Sequence, residues 1–164
     1  MTSLGSTSKT YPIRVATCDD IDTLIDLRVA MFEAMGVGKD DVAKAVCPMR
    51  AYFEEHLPTG AFRVWVAEHH GEAIASIGLV IHSIPPSPKN LVGKEAYIMN
   101  LVTRQEYRRR GIARQLMQHA IATIRNEEIP LISLHASTDG QHLYEQLGFA
   151  VSDELPEMTL GTMA

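Results

Sequence analysis

"EYRRRGIARQLM", residues 106–117, sets three consecutive arginines and a glycine at the mouth of a helical pattern. Upstream, "EAYIMNLVT" (95–103) reads as a β-strand. Downstream, Ile112, Leu116, Ala120, Ile121 and Ile124 fall on one face of a helix over 111–127. Pro130 restarts the chain, and "LISLHAS" (131–137) reads as a second strand. A crossover helix of that length requires the two flanking strands to run parallel. The stretch therefore sets the class, an α/β fold.

The turn itself has a chemistry. The first turn of a helix carries free N–H groups and the positive end of the helix dipole, so it attracts anions. Gly111 has no Cβ and lets an anion's oxygens approach the backbone. Arg109, Arg110 and Arg114 can add charge-assisted hydrogen bonds, and the small Ala113 keeps the approach open. The expected ligand is a phosphate or pyrophosphate. The spacing is neither G-x-x-x-x-G-K-[ST] nor G-x-G-x-x-G, so nucleoside triphosphates and dinucleotides lose support. A solvated basic helix start is the plainer reading of the same residues.

Outward from the turn, "YPIRVAT" (11–17) alternates like a first strand. A helix follows over 17–36, capped by Thr17 or Asp19 and ended by Gly36 and Gly38. A second helix runs over 39–57, perturbed or restarted at Pro48. Two β-rich runs then flank His69-His70-Gly71-Glu72, a hairpin signature. "PPSPKNLVGK" (85–94) is a loop suited to act as a lid. "TDGQHLYEQLG" (138–148) is a short helix, and "FAVSDELPEMTLGTM" (149–163) supplies one or two closing strands. The expected sheet is mixed, with helices on both faces.

Composition narrows the function. The 164 residues carry a formal net charge of -5, with 46% hydrophobic and 21% charged residues, which is an ordinary single globular domain. An acidic chain lacks the basic face that nucleic acid or anionic membrane requires. The expected organisation is a flexible tail over 1–10 and one domain over 11–164. Two distant cysteines, Cys18 and Cys47, suit free thiols in a reducing cytoplasm, and the expected location is cytoplasmic. His69, His70, His119, His135 and His142 lack metal-ligand spacing, so no metal is expected.

Arg108, Gly111 and Ala113 together form R-x-x-G-x-A after a strand, and "LYEQLGF" (143–149) contains Y-E-x-x-G-F. Both resemble motifs of the GCN5-related N-acetyltransferase (GNAT) family, and the order of elements is similar from about residue 12 onward. The resemblance implies a sheet of 6-7 strands in which parallel strands 4 and 5 splay apart. Acetyl-CoA would enter that gap as co-substrate. The backbone of Leu101, Val102 and Thr103 would pair with its pantetheine amides, and the amides from Arg109 through Arg110, Gly111, Ile112 and Ala113 to Arg114 would hold its pyrophosphate. Tyr144 would protonate the leaving thiolate.

Two departures accompany the resemblance. Ser137 stands where the family often has asparagine. Ile98-Met99-Asn100-Leu101 lacks the carboxylate that often serves as base. Glu33, His82 and Glu95 are the titratable candidates in its place, and Asn100 can orient substrate or water. Met31, Phe32 and Met35, with Tyr52 and Phe53, would line the acceptor pocket. Asp40, Asp41, Glu54 and Glu55 lie near in sequence and leave the acceptor open among a polyamine, an aminoglycoside, an amino acid and a peptide amine. The implied activity is acetyl transfer to a small-molecule or peptide amine in a ternary complex, with no nucleic acid or membrane partner. The alternative is a non-catalytic acyl-CoA-binding module on the same fold. Dimers are common in the family, so a homodimer is the assembly that the resemblance allows.

Overall fold

The computed structural model describes residues 10–152 and 160–161. Five strands form one sheet in chain order: β1 (Ile13–Val15), β2 (Phe62–His69), β3 (Glu72–Ser83), β4 (Lys94–Thr103) and β5 (Leu131–Leu134). Neighbours are antiparallel up to β4, and β4 and β5 are parallel. The helices are α1 (Ile21–Ala34), α2 (Lys39–His56), α3 (Ile112–Asn126) and α4 (Thr138–Gln146).

Alternation along the strands sends side chains to two cores. On one face, Ile112, Leu116, Met117, Ala120 and Ile124 of α3 pack on Trp65, Ile77, Leu79 and Ile98. On the other, Leu24 and Ile25 of α1 and Phe53 of α2 pack on Phe62, Val64 and Val66. Leu116, Met117 and Ile124 are wholly buried. Truncating any one of these large side chains to alanine would cost roughly 2–5 kcal/mol.

Local chemistry fixes the joints. His70 and Gly71 both have positive φ (53° and 80°), the signature of the type I′ turn that matches strand twist. It closes the β2–β3 hairpin at His69 and Glu72. Pro48 lies inside α2 without ending it, so the expected restart does not occur. At β3–β4 the register shifts: Ser76 faces Val102 and Gly78 faces Met99. Ile77 thus stands opposite both Asn100 and Leu101, a β-bulge. Asn100 takes the left-handed conformation there (φ 55°), which asparagine tolerates better than most residues.

The sheet corrects the expectation of six or seven strands: among the described residues it has five. Residues 149–152, 160 and 161 form no strand, and 153–159 and 162–163 lie outside the described residues. The loop after β3 also departs from its expected role as a lid. It sits at the far end of the β3–β4 ladder, where Ser83 pairs with Lys94. It is pinned there by Asn90, which accepts from the Gly93 amide (3.0 Å) and donates to the Lys94 carbonyl (2.9 Å).

Candidate active site

β4 and β5 pair only over residues 95–98 and 131–134. β4 continues to Thr103 while β5 ends, and from the bulge onward the strands diverge. A cleft of about 680 Å³ occupies the gap. It passes through the sheet. α4 packs on the α3 face through Leu143 and Tyr144, whereas α1 lies on the opposite face, and both line the cleft.

On the α3 side the site is mostly backbone. Gly111, at φ 78°, precedes α3 and has nothing within 4 Å of where a Cβ would sit. Arg109 is also left-handed (φ 61°). The first amide of α3 to find an intrahelical acceptor is that of Gln115, bonded to the Gly111 carbonyl. No described residue accepts from the amides of residues 109–114. Six successive donors, with the helix dipole behind them, form an anion cradle. The Ile112 side chain is buried in the core beneath it.

The arginines are placed less uniformly than the sequence suggested. Arg108 lines the cleft, and its Nε donates to the Thr103 carbonyl (3.2 Å). Arg110 folds back onto the Glu106 carbonyl (2.9 Å) and over the Tyr107 ring. Arg114 donates to Gln146 on α4, joining the two helices. Leu101, Val102, Thr103 and Ala113 line the cleft. The Thr103 hydroxyl is buried and has no hydrogen-bond partner among the described residues, so the residues present offer free amides suited to an anion and an unsatisfied hydroxyl in the cleft.

Tyr144 projects into the cleft from α4. Gly140 makes room for its ring: a Cβ there would lie 2.8 Å from the ring edge. Burial pushes the phenol's pKa above its ordinary value, so near neutral pH it holds its proton. Ser137 lines the cleft too, and its hydroxyl caps α4 by accepting from the Gly140 amide (3.2 Å).

On the α1 side the wall is side chain. Met31, Phe32 and Met35 line the cleft, with Asn100 at the bulge. Tyr52 and Phe53 do not: Phe53 is buried and stacked on Phe62, and Tyr52 stacks on His56. None of Glu33, His82 and Glu95 lines the cleft. His82 is exposed and pairs with Glu95 near the start of β4, and Glu95 accepts from the Ser133 hydroxyl (2.7 Å). The carboxylates Asp40, Asp41, Glu54 and Glu55 also lie outside it.

Sequence reasoning missed three residues. Tyr97 and His135 hydrogen-bond across β4 and β5 at the point of divergence, and both line the cleft. Their signal is the parallel register, which sets Tyr97 opposite Ser133, two residues before His135. The third is Arg28 of α1. It donates to the Asn100 side-chain oxygen, stacks over Phe32 at 4.9 Å, and holds Nε buried with no partner among the described residues. Desolvation pulls its pKa below the ordinary guanidinium value. Its hydrogen bond goes to a neutral amide, and the partly desolvated charge meets no carboxylate among the described residues.

Such a site, an amide cradle opening into a gap between diverging parallel strands, is that of an acyl-CoA-dependent acyltransferase fold. The sequence model of the Acetyltransferase (GNAT) family matches residues 23–149, and the chain belongs to that family. It is similar to the crystal structure of a GCN5-related N-acetyltransferase from Ralstonia eutropha: 31% identity, 93% of this chain and 100% of that one covered, TM-score 0.83. It is also similar to a predicted acetyltransferase from Clostridium acetobutylicum, solved with acetyl-CoA: 26% identity, 92% and 96% covered, TM-score 0.82. An aminoglycoside acetyltransferase from an uncultured soil metagenomic sample shares the fold at 20% identity, 94% and 100% covered, TM-score 0.71. No curated protein matches the sequence. Among the described residues no cluster of three or more His, Cys, Asp or Glu could hold a metal, and no helix is long and apolar enough to cross a membrane.

Proposed function

We propose that the chain transfers the acetyl group of acetyl-CoA to an amine of a small molecule or peptide, by direct attack with both substrates bound. Acetyl-CoA supplies the activated acetyl thioester. The observation that carries the reading is the run of amides at residues 109–114 that have no acceptor among the described residues, in the turn from which Arg108 and Ala113 line the cleft. Those amides would hold the diphosphate, with Arg108 at the mouth. The free edge of β4 at Leu101, Val102 and Thr103 would pair with the pantetheine amides, and the Thr103 hydroxyl would gain the partner it lacks.

Tyr144 would act as general acid and protonate the departing thiolate, a role that its burial favours by keeping it protonated. The amine must lose a proton before it attacks. Tyr97 and His135 stand at the divergence, and an imidazole nitrogen can accept that proton, directly or through water. Neither cysteine lies in the cleft, so no acyl-enzyme is invoked.

One observation favours the non-catalytic alternative. Asp139 of α4 is the sole carboxylate among the described lining residues, so β4 lacks the base that related chains often carry. Calorimetry with acetyl-CoA and with CoA, followed by CoA-release assays across a panel of amines, separates the two. Micromolar binding together with turnover of at least one amine supports transfer. Binding with no turnover on any amine supports the sensor, and no binding removes both.

A further inference from the structure

We propose that Arg28 anchors a carboxylate carried by the acceptor, so that the amine acetylated belongs to an amino acid or a comparably small amino-carboxylate. This inference rests on the transfer reading and names its substrate class.

The arginines of the sheet and the first two helices supply the comparison. Arg14 forks onto Asp20 and also reaches Glu68, Arg50 meets Asp22, and Arg63 meets Glu127. Arg28, half-buried, has no carboxylate partner among the described residues; its contacts are a neutral amide oxygen and a ring face. Its guanidinium has five donors in a planar fork that matches a carboxylate, and the bond to Asn100 uses one.

Its position makes the unmet charge a recognition element. Asn100 sits on the β4 bulge, beside the gap that would take the thioester. An anion held at Arg28 therefore lies close to the reacting amine, as a small amino acid's carboxylate would. The same wall offers Met31, Phe32 and Met35, a pliant apolar surface suited to a side chain. It offers no carboxylate. A polyamine or aminoglycoside would set further positive charge beside a partly desolvated cation, and none of the described α1 or β4 residues that line the cleft is a carboxylate to offset it.

The test uses the full chain and the proteinogenic amino acids, each with its carboxamide and its decarboxylated amine. CoA release is measured at saturating acetyl-CoA. Binding to the dead-end complex with CoA is measured by calorimetry. The expected result is an acid preferred over its decarboxylated amine by roughly 10- to 100-fold in kcat/KM. Arg28→Met and Arg28→Gln should collapse that ratio towards one, mainly through KM, while acetyl-CoA affinity holds and reports that the variants are folded. The proposal is overturned if wild-type protein shows no preference for any acid. It is also overturned if both variants lower the acid and the decarboxylated amine alike, since Arg28 would then only brace Asn100. Carboxylate-dependent binding without CoA release would keep the anchor and remove the transfer reading. CoA release with decarboxylated amines alone would do the reverse.

Discussion

The two walls of the cleft present different chemistry. The α3 wall presents main-chain amides, fixed by the path of the chain through Arg109 and Gly111. The α1 wall presents a cation, an asparagine, two thioethers and a ring. A main-chain cradle depends on backbone conformation and little on which side chains decorate it, which suits a ligand common to a whole family. A side-chain wall changes with each substitution, which suits an acceptor that differs between members. The division predicts that damage to one wall leaves the other's ligand bound.

The strongest break is at Tyr144, the proposed general acid on the α3 side. Tyr144→Phe should lower kcat by roughly 10²–10⁴-fold and leave acetyl-CoA affinity near wild type, as read by steady-state kinetics and calorimetry. A kcat within twofold of wild type would remove the acid role. Gly111→Val comes next. A β-branched residue is strained at φ 78°, and forcing a left-handed turn costs about 1–2 kcal/mol. Acetyl-CoA affinity should fall on the order of 10-fold, with acceptor binding to any remaining complex unaltered. An unchanged dissociation constant would detach the cradle from the cofactor.

The same division explains what the sequence revealed. The α3 wall was legible because local signals specify it. Gly111 marks the open turn into the helix, the 3.6-residue spacing of Ile112, Leu116 and Ile124 marks the helix, and Pro130 marks the next strand. The assignments of β4, α3 and β5 needed no tertiary knowledge beyond the crossover rule. Arg28 was not legible. On α1 it is one charged residue in a helix of ordinary composition, and its significance comes from Asn100, 72 residues away. His82 misled for the converse reason: a titratable residue near a strand end looks poised, but the β3–β4 register carries it away from the divergence. The Tyr97–His135 pair became visible only once the parallel register was known.

A milder break tests whether α4 holds Tyr144 by packing. Gly140→Ala would place a Cβ 2.8 Å and 3.1 Å from two ring carbons of Tyr144. Inside a helix the exchange should otherwise stabilise by up to about 1 kcal/mol. The ring must shift, and a displacement of 1 Å can cost as much as hundredfold. The expected outcome is a lower kcat, by about tenfold, in a protein no less stable to urea. Unaltered kcat would mean that the ring has slack and that Gly140 serves only the helix.

The smallest effect sharpens the contrast between Arg28 and an arginine that has its anions. Asp20 takes both prongs of the Arg14 fork at 2.8 Å and accepts from the Thr17 amide at 2.8 Å. The Arg14 bond is the largest cause that holds the Asp20 pKa below its ordinary value, with the Thr17 amide adding to it. A carboxylate whose folded pKa is depressed contributes stability that is full above its unfolded pKa, near 3.9. That stability is lost as pH falls through the folded value. Asp20→Asn should therefore destabilise by roughly 1–3 kcal/mol at pH 7, a difference that holds to about pH 5 and shrinks below about pH 4. Urea unfolding at several pH values measures it. Because neither Arg14 nor Asp20 lines the cleft, acetyl-CoA affinity should stay at the wild-type value throughout. If Asp20→Asn weakened acetyl-CoA as much as Gly111→Val, the cradle would depend on the packing of the distant sheet edge, and the division between a main-chain wall and a side-chain wall would fail.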